Sequence, residues 1–302
     1  MALHTFAVCS VTIGAVICTK KTINYYFRCT RPSHSTSKPI PFKRLHKSAT
    51  LAYLAYKEPH DVSTIQTDVD EFKCVSDICI PNNNPVYLDG MPFEHAQGYV
   101  WIVKETRTVF VAFRGTEDFK DLKADIDVRY ADLGYNRKVH MGFWRQFESI
   151  RSALEMLLQS QDDAYDTIIF CGHSLAGAIA TIASPYFAEC FPKKIIKCHT
   201  IGSPRVGNKQ FCSWFNKKVH ENWRVFNEND PIAMVPISNR FMHVDNAVCI
   251  RDSGSVDYIE SDVPWFARIF QSVHNIDFGL DIFDDHDCKL YMSRLSAKEK
   301  GI

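Results

Sequence analysis

The passage that most constrains this 302-residue chain is a short apolar run, TIIFC, followed by Gly172-His173-Ser174-Leu175-Ala176-Gly177 and then Ala178 and Ala180. The run TIIFC is long enough for a buried strand and too short for a helix. The small residues after Leu175 suit the first turns of a helix. A strand, a tight turn and a helix in that order put Ser174 at the turn, where glycines at 172 and 177 remove side chains that would collide with neighbouring backbone. Such a turn lifts the serine hydroxyl clear of the sheet and aims the N–H groups of the following helix at it. Without its flanking elements a Gly-x-Ser-x-Gly is a weak pattern, and an ordinary turn capped by Ser174 is the competing reading.

Elsewhere, strand and helix patterns alternate. Leu45, Ala49, Ala52, Tyr53 and Tyr56 fall at helical spacing, which predicts a first helix ending near Lys57. GYVWIVK (98–104) and TVFVAF (108–113) predict a hairpin with a short polar turn between them. Phe143, Phe147, Ile150, Leu154, Leu157 and Leu158 mark an amphipathic helix over about 142–159. Residues 195–201 and 223–227 read as further strands, separated by a helix over about 209–219, and the segment 80–92 is turn-rich. The fold class this predicts is α/β, with a mainly parallel sheet covered by helices on both faces.

Before residue 42 the chain has a different character. Residues 2–19 contain no Lys, Arg, Asp or Glu, and Lys20 and Lys21 follow. The stretch is marginal in length for a spanning helix, and its positive charge comes after the apolar core rather than before it. Residues 1–21 therefore read as a hydrophobic anchor in preference to a cleaved signal, with the side of the membrane open. Residues 22–41, rich in Pro, Ser and Thr, read as a linker, and 42–302 as one folded domain. Cations and anions balance at 35 each, and no basic stretch is interleaved with aromatics, so no nucleic-acid partner is expected. The eleven cysteines make no zinc-like cluster and fall at irregular spacing, which favours reduced thiols; Cys74 and Cys79 are the only close pair.

A serine nucleophile needs a base, and the base needs an orienting carboxylate. Asp230 ends the run Arg224-Val225-Phe226-Asn227-Glu228-Asn229-Asp230 before Pro231, so it would leave the carboxyl end of a strand. Three histidines follow it: His243, His274 and His286. His286, just before a plausible last helix, is the first candidate for the base and His274 the second. The developing oxyanion needs preorganised donors. The backbone N–H of Leu175 is one candidate. Phe113-Arg114-Gly115-Thr116, at the end of an early strand, supplies the other in Thr116.

These segments together resemble the class 3 lipases, the fungal-lipase-like branch of the α/β-hydrolases. The resemblance runs through Phe113 to Thr116, Val139-His140-Met141-Gly142-Phe143, the Ser174 turn, Thr200 to Asn208, Arg224 to Pro231, and His286 with Tyr291. Six segments in the family's order cover roughly residues 45–295. The resemblance implies an acyl-transfer hydrolase with Ser174 as nucleophile, Asp230 as orienting acid, His286 as base, and Thr116 and Leu175 as oxyanion donors. It implies no cofactor or metal, structural roles for His140 and His173, and a lipid ester (acylglycerol or phospholipid) as substrate, met at a membrane surface. It also implies a lid over residues 117–128, where Phe119, Leu122 and Ile126 share one face. That segment is heavily charged, and Leu122 stands where interfacially activated relatives often carry tryptophan. A charged lid would also suit an esterase for small soluble esters, and a lipase-fold binding protein without turnover is the reading from another class.

Overall fold

The computed structural model describes residues 39–57, 86–89, 96–115, 129–236, 240–260 and 284–301. The hydrophobic segment 1–21, the linker to residue 38, the pair Cys74 and Cys79, Thr116, the expected lid and His274 lie outside the described residues. Residues Ile40–Ile302 form a compact unit apart from Met1–Pro39. Among the described residues no helix is long and apolar enough to cross a membrane.

In chain order the described elements are helix α1 (Phe42–Leu54) and strands β1 (Val86–Asp89), β2 (Gln97–Val103), β3 (Thr108–Phe113), β4 (Tyr130–Asp132) and β5 (Lys138–His140). Helix α2 (Met141–Ser160), strand β6 (Thr167–His173), helix α3 (Leu175–Cys190), strand β7 (Ile195–Ile201), helix α4 (Lys209–Lys218) and strand β8 (Glu221–Asn227) follow. Strands β9 (Ala247–Ile250) and β10 (Val256–Ile259) and helix α5 (Cys288–Glu299) complete the set. The main sheet has the order β1-β2-β3-β6-β7-β8-β9-β10. Its centre, from β3 to β9, is parallel. The antiparallel partners β1 and β2 close one edge and β10 the other.

Alternate residues of each central strand supply opposite faces, as the two-residue period requires. Val109, Val111, Phe113, Ile168 and Phe170 pack with Phe147, Ile150 and Leu154 of α2, with α3, and with Phe211 and Phe215 of α4. Phe110, Ala112, Ile169 and Cys171 face Leu51 and Leu54 of α1. Further along that second face, Leu45 and Ala49 of α1 meet Trp223, Val225, Val248 and the α5 residues Tyr291 and Leu295. Every residue of β3 is buried because both faces are covered. Each fully buried Leu, Ile or Phe side chain in these layers contributes roughly 1.5–3 kcal/mol. Thirteen of the sixteen residues of α3 are buried, all but Tyr186, Glu189 and Cys190, and its small residues serve close packing.

Polar contacts set the position of α1. The Ser48 hydroxyl lies 2.8 Å from His199 Nδ1, and His199 Nε2 lies 3.3 Å from Glu221 Oε1. Arg44 Nη1 donates to the same Glu221 oxygen at 2.7 Å. Burial holds the His199 ring below its ordinary pKa. A neutral ring that donates from Nε2 to the carboxylate must accept from Ser48 at Nδ1. At the outer side of the helix, His46 Nδ1 pairs with Glu299 of α5 at 2.8 Å. The six described cysteines are free thiols, and five of them, Cys171, Cys198, Cys212, Cys249 and Cys288, are buried.

Candidate active site

Strand β6 delivers the chain into a turn at Ser174, whose φ of 60° and ψ of −130° are rare for a residue with a side chain. The turn exists because its neighbours are small. A Cβ on Gly172 would collide with the Ala176 carbonyl group, and one on Gly177 would lie 2.7 Å from Ser203 Cβ. The Ser174 N–H donates to Ile201 O of β7 at 2.9 Å, and the Ser174 carbonyl accepts from Gly177 N at 2.9 Å. Its Oγ is buried and makes no hydrogen bond among the described residues. A buried hydroxyl held this way, on a strained turn, is kept for something other than stability. Leu175 is the first residue of α3, so its N–H belongs to the unsatisfied first turn of that helix.

Strand β8 ends at Asn227, and Asp230 follows, fully buried. The Asp230 carboxylate gathers four donors. Oδ1 accepts from Ile232 N at 2.8 Å and Ala233 N at 3.4 Å. Oδ2 accepts from Tyr291 Oη at 2.5 Å and from His286 Nδ1 at 2.8 Å. A carboxylate only accepts, so His286 Nδ1 donates to it, and Nε2 lies on the other side of the ring. Tyr291 in turn accepts from Asn227 N at 2.8 Å, and Asn227 Nδ2 donates to Asp285 O at 2.7 Å, which fixes the turn Asp284–His286. Burial and the adjacent Asp230 charge push the Tyr291 phenol well above its ordinary pKa, so it remains a donor.

The serine and the histidine lie at the same end of the sheet. Ile201, which takes the Ser174 N–H, is followed by Gly202 at φ 56°. A Cβ on Gly202 would lie 2.7 Å from Asp230 Oδ2 and 3.0 Å from the His286 ring. The ring therefore sits over the carboxyl end of β7, beside the Ser174 turn. In open parallel sheets this end of the strands is where ligands bind. Phe113 is the register partner of Gly172, so the end of β3 reaches the same place, with Gly115 against the His173 carbonyl. Thr116 lies one residue beyond the described stretch.

His243 is committed elsewhere, with Nε2 2.8 Å from Ala233 O, and His140 stacks on Phe143 at 4.3 Å. Two residues beside the candidate acid and base were not singled out from local pattern. Tyr291 appears in sequence only as a neighbour of His286, and Gly202 only as one glycine in a longer segment. Both matter because strands more than twenty residues apart converge here. Among the described residues no group of three His, Cys, Asp or Glu side chains could hold a metal ion.

Residues 110–240 match the class 3 lipase family. A lipase of Rhizopus niveus is 31% identical over 146 residues, covering 46% of this chain and 37% of that protein. A chloroplastic phospholipase A(1) of Arabidopsis thaliana is 30% identical over 151 residues, covering 43% of this chain and 34% of that one. The chain thus spans about two fifths or less of the length of these relatives. The solved structure of lipase II from Rhizopus niveus superposes with a TM-score of 0.67 at 24% identity, covering 81% of this chain and 92% of that one. The fold is that of an α/β-hydrolase, and residues 110–240 carry the similarity to the class 3 lipases.

Proposed function

We propose that this chain is a serine ester hydrolase of the lipase type, acting on acylglycerol or phospholipid esters through Ser174, His286 and Asp230. The observation that carries the reading is the His286–Asp230 pair, 2.8 Å apart and fully buried, beside a strained serine whose hydroxyl is not spent on another bond. His286 Nε2 would take the proton of Ser174 as Oγ attacks the ester carbonyl. Asp230 keeps the ring in the required tautomer and stabilises the imidazolium that forms. The Leu175 N–H and Thr116 would receive the oxyanion of the tetrahedral intermediate. His286 then returns the proton to the departing alcohol, and water, activated by the same ring, releases the acid from the acyl-enzyme. No cofactor enters these steps.

Ser174 is 1% exposed and His286 0%. Residues 117–128, in which Phe119, Leu122 and Ile126 fall at the spacing of one helix face, are proposed as the lid that would control access to them. That similar proteins are a lipase and a phospholipase A(1) supports the choice of lipid ester. The hydrophobic segment 1–21 would hold the enzyme against its substrate at a membrane surface.

The test is hydrolysis of a chain-length series of p-nitrophenyl esters, as monomers and as micelles, with Ser174→Ala alongside. Serine-dependent activity that rises with long chains above the micellar threshold is expected. Activity confined to short soluble esters would replace the lipid substrate with small esters. No serine-dependent activity on any ester would leave a binding protein.

A further inference from the structure

The geometry points to Tyr56, just past the end of α1, as a positioning residue that steadies His286 through His173 and braces the strand end leading to the oxyanion loop. The inference rests on the hydrolase reading above. Tyr56 lies outside residues 110–240, the stretch that matches the family.

His173 stands between the two residues. Its Nε2 lies 2.7 Å from the His286 carbonyl oxygen, and its Nδ1 lies 2.9 Å from Tyr56 Oη. A carbonyl only accepts, so Nε2 carries a proton and donates. Burial, reinforced by the neighbouring His286, holds the His173 pKa well below its ordinary value, so the ring is neutral and has one proton to place. Nδ1 is then the acceptor, and the Tyr56 hydroxyl donates to it. The phenol proton thereby supports the His173 tautomer that anchors the backbone of His286.

The His286 ring needs a second anchor. Its bond to Asp230 fixes one direction, along Nδ1 to Oδ2, and leaves tilt about that line. His173 removes this freedom twice, by bonding the carbonyl and by packing its ring on that of His286, with centroids 4.5 Å apart and planes at 33°. Tyr56 also meets the edge of His173, at 5.9 Å and 61°. On its other side the Tyr56 hydroxyl fills the space in which a Cβ of Gly115 would stand. Gly115 directly precedes Thr116, so one side chain braces both the base and the end of β3.

Tyr56→Phe in the full chain removes only the hydroxyl. The kcat for p-nitrophenyl butyrate should fall about tenfold with KM within about twofold, the mark of lost positioning rather than lost binding. His173→Leu should cost about a hundredfold, and the double variant should be no slower than His173→Leu alone, because both act on one chain of bonds. His173→Gln, which keeps a donor near the Nε2 position, should recover part of that loss. In proton NMR the downfield Nδ1 proton of His286 should shift or broaden in Tyr56→Phe and stay in place in Ser48→Ala. An unchanged kcat in Tyr56→Phe, or losses that multiply in the double variant, would overturn the inference. If the wild-type chain hydrolyses no ester, the hydrolase reading fails by itself. The His286 resonance then decides the matter alone, and one that does not move in Tyr56→Phe sinks the link.

Discussion

Ser174, His286 and Asp230 on one side, and Ser48, His199 and Glu221 on the other, are two serine–histidine–carboxylate sets in one chain. Both histidines are fully buried, and each bonds a carboxylate. They differ in where the serine stands and which ring nitrogen meets the acid. Ser48 sits inside α1 with its hydroxyl given to His199 Nδ1, while Nε2 of that ring goes to Glu221, so both nitrogens are consumed in docking a helix. Ser174 stands on a turn at positive φ with an unspent hydroxyl, and His286 meets its acid through Nδ1, which directs Nε2 away from the carboxylate. Glu221 also answers to Arg44 and Lys197, cations that tie it to the surface. Among the described residues Asp230 accepts from two backbone N–H groups, a phenol and the His286 ring. The three residue types do not make a hydrolytic site; backbone geometry and the order of bonds do.

The sharpest way to break this comparison is to remove each serine. Ser174→Ala should lower ester turnover by roughly a hundred-thousandfold, leaving protein that still folds. Ser48→Ala should keep kcat within about twofold of wild type, since it touches neither Ser174 nor His286. Equal losses from the two would dissolve the distinction.

Removing the carboxylate charge comes next. Asp230→Asn should reduce kcat by about ten-thousandfold, because an amide can leave His286 in the wrong tautomer. Glu221→Gln should leave kcat nearly intact and lower the urea midpoint instead. A comparable kcat loss in Glu221→Gln would mean that α1 docking and chemistry are not separable.

The docking set should show itself in stability. Ser48→Ala leaves His199 Nδ1 buried without its donor and should cost about 1–3 kcal/mol, read from chemical denaturation. An unchanged midpoint would remove Ser48 from the clamp.

The smallest effect is in pH. Burial holds His199 below its ordinary value of 6.5. Burial alone would raise Glu221, but its bond to His199 and the charges of Arg44 and Lys197 bring it down to about 2. In both cases the unfolded chain binds protons more readily, so their contribution is present at neutral pH and is lost as pH falls. For His199 the loss begins as pH drops through 6.5; for Glu221 it runs from 4.5 down to about 2. His173 acts in the same direction as His199. The urea midpoint should therefore drop on moving from neutral pH to about pH 5, and less so in His199→Gln. A midpoint flat over that range would sink this account.

The elements that were legible in sequence are those with a long enough pattern. Strands β2, β3, β6, β7 and β8 and helices α1, α2, α3 and α4 all carry five or more residues of clear period or apolar run. Strands β1, β4, β5, β9 and β10 have three or four residues each, too few alternations to separate from a turn. The 80–92 segment, read as turn-rich, contains β1 at the sheet edge. In the site the same limit applies. Ser174 was visible because its turn is local, and Asp230 because it follows a strand. Spacing alone left His286 and His274 both open as the base.

What the sequence determined by itself is local geometry. Glycines at 172 and 177 permit the tight strand-to-helix turn, and apolar runs on both faces of a strand demand a sheet covered on both sides. Only the tertiary structure decided which side chains meet. His286 reaches Asp230 across 56 positions, and Tyr56 reaches His173 across 117. Such pairs form once β6, β7 and β8 align in register and α1 and α5 close on them, and no periodicity spans that distance. Hydrogen bonds act over about 3 Å, and only a packed fold brings residues so far apart in the chain within that reach.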